Sequence, residues 1–350
     1  MEKKYYKVLP EDLTKRGFRY QEGLNVDTLP IRPVVNGWGN WGMHFRDINQ
    51  ILGVVSKGTM IADVEIPEDA IVYEFPMVSK ANKLILKNIR PLWNIEVFKE
   101  LERQGADIHG DKEHLLHSAA EIGSLDMVKY FAEEEGADIH GFYNGGTVIM
   151  RAAEKGHLDV VKYLTGRGVD IHTYMEAPLC LAGEHGHLEV VKHLVEQGAD
   201  IDKYKELLFF EAAEHGQLNM VKYMMGYGCY DCHVALHIAA ENGWLEVVKF
   251  FAEQGVDIHA EDEIVLRSAV EHDYALDVVK YLVEQGADIH SNNEAPLCKA
   301  VAEGALNVVK YLVEQGADIH ARNDYPLRVA KAENYQSMVE YLMSCLEEEQ

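Results

Sequence analysis

No apolar run in this 350-residue chain approaches the roughly 18–20 residues that crossing a bilayer requires, so no membrane-spanning helix is expected. Cysteine is sparse. The five thiols (Cys180, Cys229, Cys232, Cys298, Cys345) are odd in number and scattered, which argues against a disulfide framework and predicts reduced side chains in an intracellular protein. Positive charge is also short, with 33 Lys and Arg against 58 Asp and Glu, a net of −25. The deficit is uneven: residues 1–80 hold 10 against 11, leaving 23 against 47 for the rest. Such a field repels phosphate backbones and anionic lipid, so neither nucleic acid nor a membrane is expected as partner, and a basic protein partner is favoured. Behind Met-Glu-Lys-Lys-Tyr-Tyr there is no apolar stretch of the secretory kind, which again points inside the cell.

Catalytic signatures are missing too. Gly37-Trp-Gly-Asn-Trp-Gly42 is glycine-rich, but no Gly-Lys-Ser/Thr follows and no G-x-G-x-x-G opens a helix, so it reads as turns with aromatic anchors. Cys229-Tyr-Asp-Cys232 has neither a second ligand pair nor a thioredoxin-like context, and reads as a worn repeat turn. His44 and Asp47 lack a nucleophile at any useful spacing. Six histidines recur at one repeat position (His109, His140, His172, His259, His290, His320). Equivalent positions on helices packed about 8–10 Å apart cannot share a zinc ion with ~2 Å bonds, so turn-stabilising or solvated histidine is the expectation. No catalytic, cofactor or metal residue is assigned.

What the chain does have is a phrase written twice in identical form, Val278 to His290 and Val308 to His320, with diluted copies at Met127, Val160, Val190 and Val247. Val308, Val309, Leu312 and Val313 fall on one helical stripe, with Lys310 and Glu314 off it. Gly316 sits where a helix needs a left-handed stop, and Asp318 opens a turn. The glycine turns begin at Gly105, Gly136, Gly168, Gly198, Gly228, Gly255, Gly286 and Gly316, most of them 30 or 31 residues apart. Before each outer helix lies a shorter one with paired small residues, as in Leu116-His-Ser-Ala-Ala and Leu236-His-Ile-Ala-Ala. Such a unit cannot hide its stripe alone and must stack on its neighbours. Lysines of the outer helix mostly follow an acid three residues earlier (Asp126, Asp159, Glu189, Glu246, Asp277), which predicts solvated helix pairs.

Residues 1–78 do not share the repeat and read as a small α+β module. Strands are predicted at Tyr5 to Leu9 and from Gly17, and twice more within Met60 to Phe75 around Pro67-Glu-Asp. A helix is predicted over Phe45 to Val55, with Asp47 as cap. The second domain is set at 79–350, with atypical terminal units.

Pro178-Leu-x-x-Ala-x-x-x-Gly-His-Leu-Glu-Val-Val-Lys, running on to Gly198-Ala-Asp-Ile201, resembles the ankyrin repeat across residues 80–350. The resemblance implies a mainly α fold, an α-solenoid of about eight to nine helix pairs behind the α+β module. The 30-residue form, with its Ala-Asp-Ile-His endings, and the segments Gly42-Met-His-Phe-Arg-Asp-Ile-Asn and Ile61-Ala-Asp-Val-Glu-Ile-Pro are similar to ankyrin proteins of giant DNA viruses of amoebae. That implies a place in host cytoplasm, nucleus or virion. The resemblance also implies a non-enzymatic, monomeric scaffold that binds a protein through hairpin tips and the inner-helix residues after the paired alanines. Here those positions are Phe142, Tyr143, Tyr174, Met175 and Tyr204 at the tips, and Glu154, Lys155, Glu184, His185, Glu214 and His215 on the helices. Two alternatives stay open: an adaptor whose N-terminal module docks a larger complex such as a ubiquitin ligase, and an N-terminal module with its own enzymatic activity.

Overall fold

The structure is a computed structural model that describes all residues except 1–2, 16, 28–41, 77, 229–230 and 349–350. The Gly37–Gly42 motif therefore lies mostly outside the described residues, as does Cys229. The chain divides into two compact units, 1–199 and 200–350.

The first unit opens on a sheet. Strands β1 (Tyr5–Leu9), β4 (Gly23–Val26), β5 (Met43–Asp47), β6 (Met60–Glu65), β7 (Val72–Phe75), β8 (Val78–Ala81) and β9 (Lys83–Pro91) form an antiparallel sheet in the order β4-β9-β6-β1-β5-β8-β7, while β2 (Thr14–Lys15) and β3 (Phe18–Arg19) pair separately. Leu9, Met43, Phe45, Ala62, Leu84 and Leu86 fill its core. The strands expected at Tyr5 and within Met60 to Phe75 are present, although β6 and β7 pair with other strands and not with each other. Two expectations change. The helix predicted over Phe45 to Val55 is not formed: Phe45 is taken into β5 opposite Ser79, Asp47 accepts from the Asn49 N–H at 3.0 Å to close a turn, and only a short 3-10 segment follows at Leu52–Lys57. The sheet also runs beyond 78, because Leu84 and Leu86 alternate inward and sit fully buried, so residues 78–81 and 83–91 are strand.

The repeat helices of this unit are α1 (Ile95–Arg103), α2 (Ile108–Ile122), α3 (Leu125–Lys129), α4 (Val148–Glu154), α5 (Leu158–Gly166), α6 (Thr173–Glu184) and α7 (Leu188–Glu196). Inner helices α2, α4 and α6 lie side by side, as do outer helices α3, α5 and α7. The 3-10 segment packs on α2, and Arg90 pairs with Asp63 at 2.9 Å and Glu100 at 3.3 Å. Trp93, Phe98 and Phe131 continue the contact as a chain of rings 5.6 and 5.4 Å apart. The sheet module thus covers the face of the first repeat that has no earlier repeat to lean on. Glu133-Glu134-Glu135 holds one residue more than the matching Glu-Gln elsewhere, and the helix absorbs it as a π-turn over Tyr130–Glu134.

The second unit contains α8 (Ile201–Glu214), α9 (Leu218–Met225), α10 (Cys232–Glu241), α11 (Leu245–Glu253), α12 (Ala260–Ala269), α13 (Leu276–Glu284), α14 (Ser291–Ala302), α15 (Leu306–Glu314), α16 (Ala321–Ala332) and α17 (Gln336–Glu348). Even-numbered inner helices again stack on one another and odd-numbered outer helices do likewise. Val308, Val309 and Leu312 are fully buried, whereas Val313 is only half-buried. Gly316 takes φ +99° and Asp318 accepts from the His320 N–H at 2.8 Å, as the phrase predicts. The extra residue at Glu271 to Leu276 forms a 3-10 turn over Asp273–Ala275, and the Asp273 carboxylate receives the Asn307 and Val308 N–H groups of the next outer helix, at 2.8 and 3.2 Å. Cys232 is disulfide-bonded, which corrects the expectation of five reduced thiols. Among the described residues no helix is long and apolar enough to cross a membrane.

Candidate functional site

Three kinds of junction lead into the inner helices: before α2, α8 and α10 the side chain of Asp107, Asp200 or Asp231 caps a helix that starts at once, so Tyr204, expected at a tip, lies inside α8. The unit after His140 keeps a hairpin, β10 (Phe142–Tyr143) against β11 (Gly146–Thr147), turned by Asn144 and Gly145 at positive φ. Four units of 30 or 31 residues replace the hairpin by three consecutive left-handed residues: 174–176, 261–263, 292–294 and 322–324. Each such turn has one device behind it. The Asp two residues before the histidine accepts the histidine N–H, and the imidazole Nδ1 meets a carboxylate four residues on. The pairs are His172–Glu176 at 2.6 Å, His259–Glu263 at 3.0 Å, His290–Glu294 at 2.5 Å and His320–Asp324 at 2.7 Å. Three of the four carboxylates are buried, and Glu263 also receives the Asp288 N–H of the next repeat at 3.1 Å. Left-handed backbone costs roughly 1–2 kcal/mol per non-glycine residue, and these contacts offset it. The hydrogen bond to Glu294 raises the pKa of the His290 imidazole.

His172, His259, His290 and His320 therefore staple turns, while His140 shares only the backbone N–H bond to its Asp138. His109 differs: its Nδ1 lies 2.8 Å from Glu135 and its Nε2 3.8 Å from Glu102. The ring thus bridges two carboxylates, and one ligand atom from each of Glu102, His109 and Glu135 lies within 4.8 Å of the others.

A second contact, unread in the sequence, ties repeat to repeat. The residue after the inner-helix glycine in one unit lays its ring on the glycine of the unit before, and its N–H donates to the carbonyl of the glutamate two residues ahead of that glycine. His157 Nε2–H reaches Glu121 at 2.9 Å, His187 Nε2–H reaches Glu154 at 3.0 Å and Trp244 Nε1–H reaches Glu214 at 2.6 Å. A Cβ on Gly123, Gly156 or Gly216 would lie 2.3–2.4 Å from these rings. The Gly-His-Leu spelling was the available signal, but it identifies the ring's target only once 30-residue stacking is assumed.

In the first unit the expected face resolves into two groups. Phe142 and Tyr174 stand in ring contact at 5.1 Å, 54% and 57% exposed, beside Met175 at 74%. Tyr143 turns inward and packs on the rings of His114 and His117 in α2, at 6.0 and 5.6 Å. On the inner helices Glu154 is compensated by Lys155 at 2.9 Å and Arg151 at 3.6 Å, which leaves this stretch mixed in charge and not simply acidic. The Lys155 bond lowers the Glu154 pKa and raises that of the lysine. Glu184 and His185 are exposed, and the His185 and His187 rings stack at 6.2 Å. In the second unit Tyr204 is half-buried with Lys203 Nζ 5.0 Å from its ring, while Glu214 and His215 are exposed and His215 pairs with Glu211 at 3.6 Å. Three of the outer-helix lysine pairs are formed, at Lys192, Lys249 and Lys280, while Lys129, Lys222 and Lys310 lie over rings of the following outer helix.

A family model described as ankyrin repeats (3 copies) matches residues 93–175, 143–205, 172–234, 209–293 and 266–349. Over 57 residues the chain is 42% identical to alpha-latrotoxin-Lh1a of Latrodectus hasselti, a stretch that is 16% of this chain and only 4% of that protein.

Proposed function

The chain belongs to the ankyrin-repeat proteins, and on that premise we propose that it is a non-enzymatic, monomeric scaffold that binds another protein through the tip formed by Phe142, Tyr174 and Met175. One observation carries this reading. The same left-handed turn is spelled Glu261-Asp262, Asn292-Asn293 and Arg322-Asn323 in the other units, so the fold does not require the exposed Tyr174-Met175. Large apolar side chains kept in water beside a mixed-charge stripe (Glu154, Lys155, Glu184, His185) suit an interface anchor with a polar rim. The partner segment is apolar at its centre and mixed or basic at its edges. The 30-residue repeat form and the leader-like N-terminal segments support a giant-virus origin, which puts the protein in an infected cell or a virion.

The test is co-purification with full-length protein. Tyr174→Asn with Met175→Asn borrows the spelling at 292–293, so the turn should be retained while the partner is lost. Recovery of the same partner by the double variant excludes this tip as the anchor.

A further inference from the structure

In a chain of net charge −25, three cations gather at one place on the inner helices of the second unit. Arg267 of α12, Lys299 of α14 and Arg322 of α16 line a cavity of about 370 Å³ with Tyr325, Cys298, Ala295 and Ala302. Small side chains make the space: Ala295, Cys298 and Ala302 sit at i, i+3 and i+7, on one face of α14.

The cations are unequally compensated. Lys299 pairs with Glu271 at 2.5 Å. Arg322 donates from Nε to the Asn293 carbonyl at 2.9 Å and from Nη2 to the Asn292 carbonyl at 2.6 Å, so neutral dipoles fix its plane without cancelling its charge. Arg267 is half-buried. Among the described residues neither guanidinium has a carboxylate in ion-pair contact. Glu294, which acts on the thiol, is buried with Oε1 on His290 at 2.5 Å and Oε2 without a hydrogen-bond partner. Burial raises the pKa of the Cys298 thiol against the pull of Arg322, so the cavity floor is neutral.

We propose that this cavity binds the phosphomonoester of a phosphorylated peptide segment. Two uncompensated guanidinium groups match a dianion in charge, and their fork geometry matches its oxygens; a single carboxylate answers only one of them. The Tyr325 hydroxyl adds a donor and the alanine floor admits the bulk. A segment crossing α12, α14 and α16 in turn passes all three cations, which favours a peptide over the free ion. None of the tip residues of the preceding proposal takes part.

The test titrates the full chain calorimetrically with a short acetylated alanine peptide carrying a central phosphoserine. Its glutamate and serine versions and inorganic phosphate serve as comparisons. The phosphoserine peptide should bind at least about tenfold more tightly than the other three and weaken with added salt. Arg267→Gln should lose about tenfold of that affinity. Ala302→Met, which fills the cavity without changing a charge, should do the same with the circular dichroism spectrum intact. Arg328→Gln, on α16 but outside the cavity lining, should bind as wild type. Equal binding of the glutamate and phosphoserine peptides overturns the proposal. So do inorganic phosphate binding as tightly as the peptide, no binding at all, or affinity indifferent to both Arg267→Gln and Ala302→Met.

Discussion

Trp244 Nε1–H donates to the Glu214 carbonyl at 2.6 Å while its ring covers Gly216, which lies at φ +67°. One residue thus closes the exposed end of helix α8 and forbids a side chain on its neighbour. Gly216→Ala should lower stability by about 1–2 kcal/mol for the backbone alone, and by more because the new Cβ meets the ring. Trp244→Phe keeps a ring and loses the donor, for about 1 kcal/mol. Urea unfolding of both variants measures the difference, and the glycine variant should be the weaker.

The His290–Glu294 clamp makes the turn pH-dependent. The histidine's pKa is raised in the folded state by its hydrogen bond to Glu294, so the folded protein holds that proton more tightly than the unfolded chain does. Its stabilisation is complete below the unfolded value near 6.5 and disappears as pH rises through the higher folded value. His290→Asn should therefore cost more stability at pH 6 than at pH 9, read as the difference in thermal midpoints from wild type.

His117 acts in the opposite sense. It is buried in α2 beneath Tyr143, and burial, with Arg151 and His114 nearby, pushes its imidazole down to about 4. Below pH 6.5 the unfolded chain takes up a proton that the folded chain refuses, so stability falls between about pH 6.5 and 4 by up to roughly 3 kcal/mol. His117→Gln should remove that part of the acid slope. NMR titration of the ring should show it neutral at pH 5.5.

Much of the repeat was readable because its signals are local. Val160, Val161 and Leu164 declare their face by spacing alone, and all three are buried. Gly316 and Asp318 each act within a few residues of their own position. The module read less well. Asp47 is as good a helix cap as a turn-former, and only the pairing of Phe45 with Ser79, 34 residues away in sequence, decides between them. Within the candidate face Tyr143 and Phe142 look alike as neighbours, yet alternation in a two-residue strand sends one onto His117 and the other into solvent.

Buried valines on a helix stripe are common to any repeat array and do not test binding at the tip. The direct measurement is amide hydrogen exchange on the full chain with and without the partner recovered by co-purification. Slowed exchange concentrated at residues 142–147 and 172–177 is the predicted result. Protection elsewhere, with these amides exchanging as in the free protein, would contradict it.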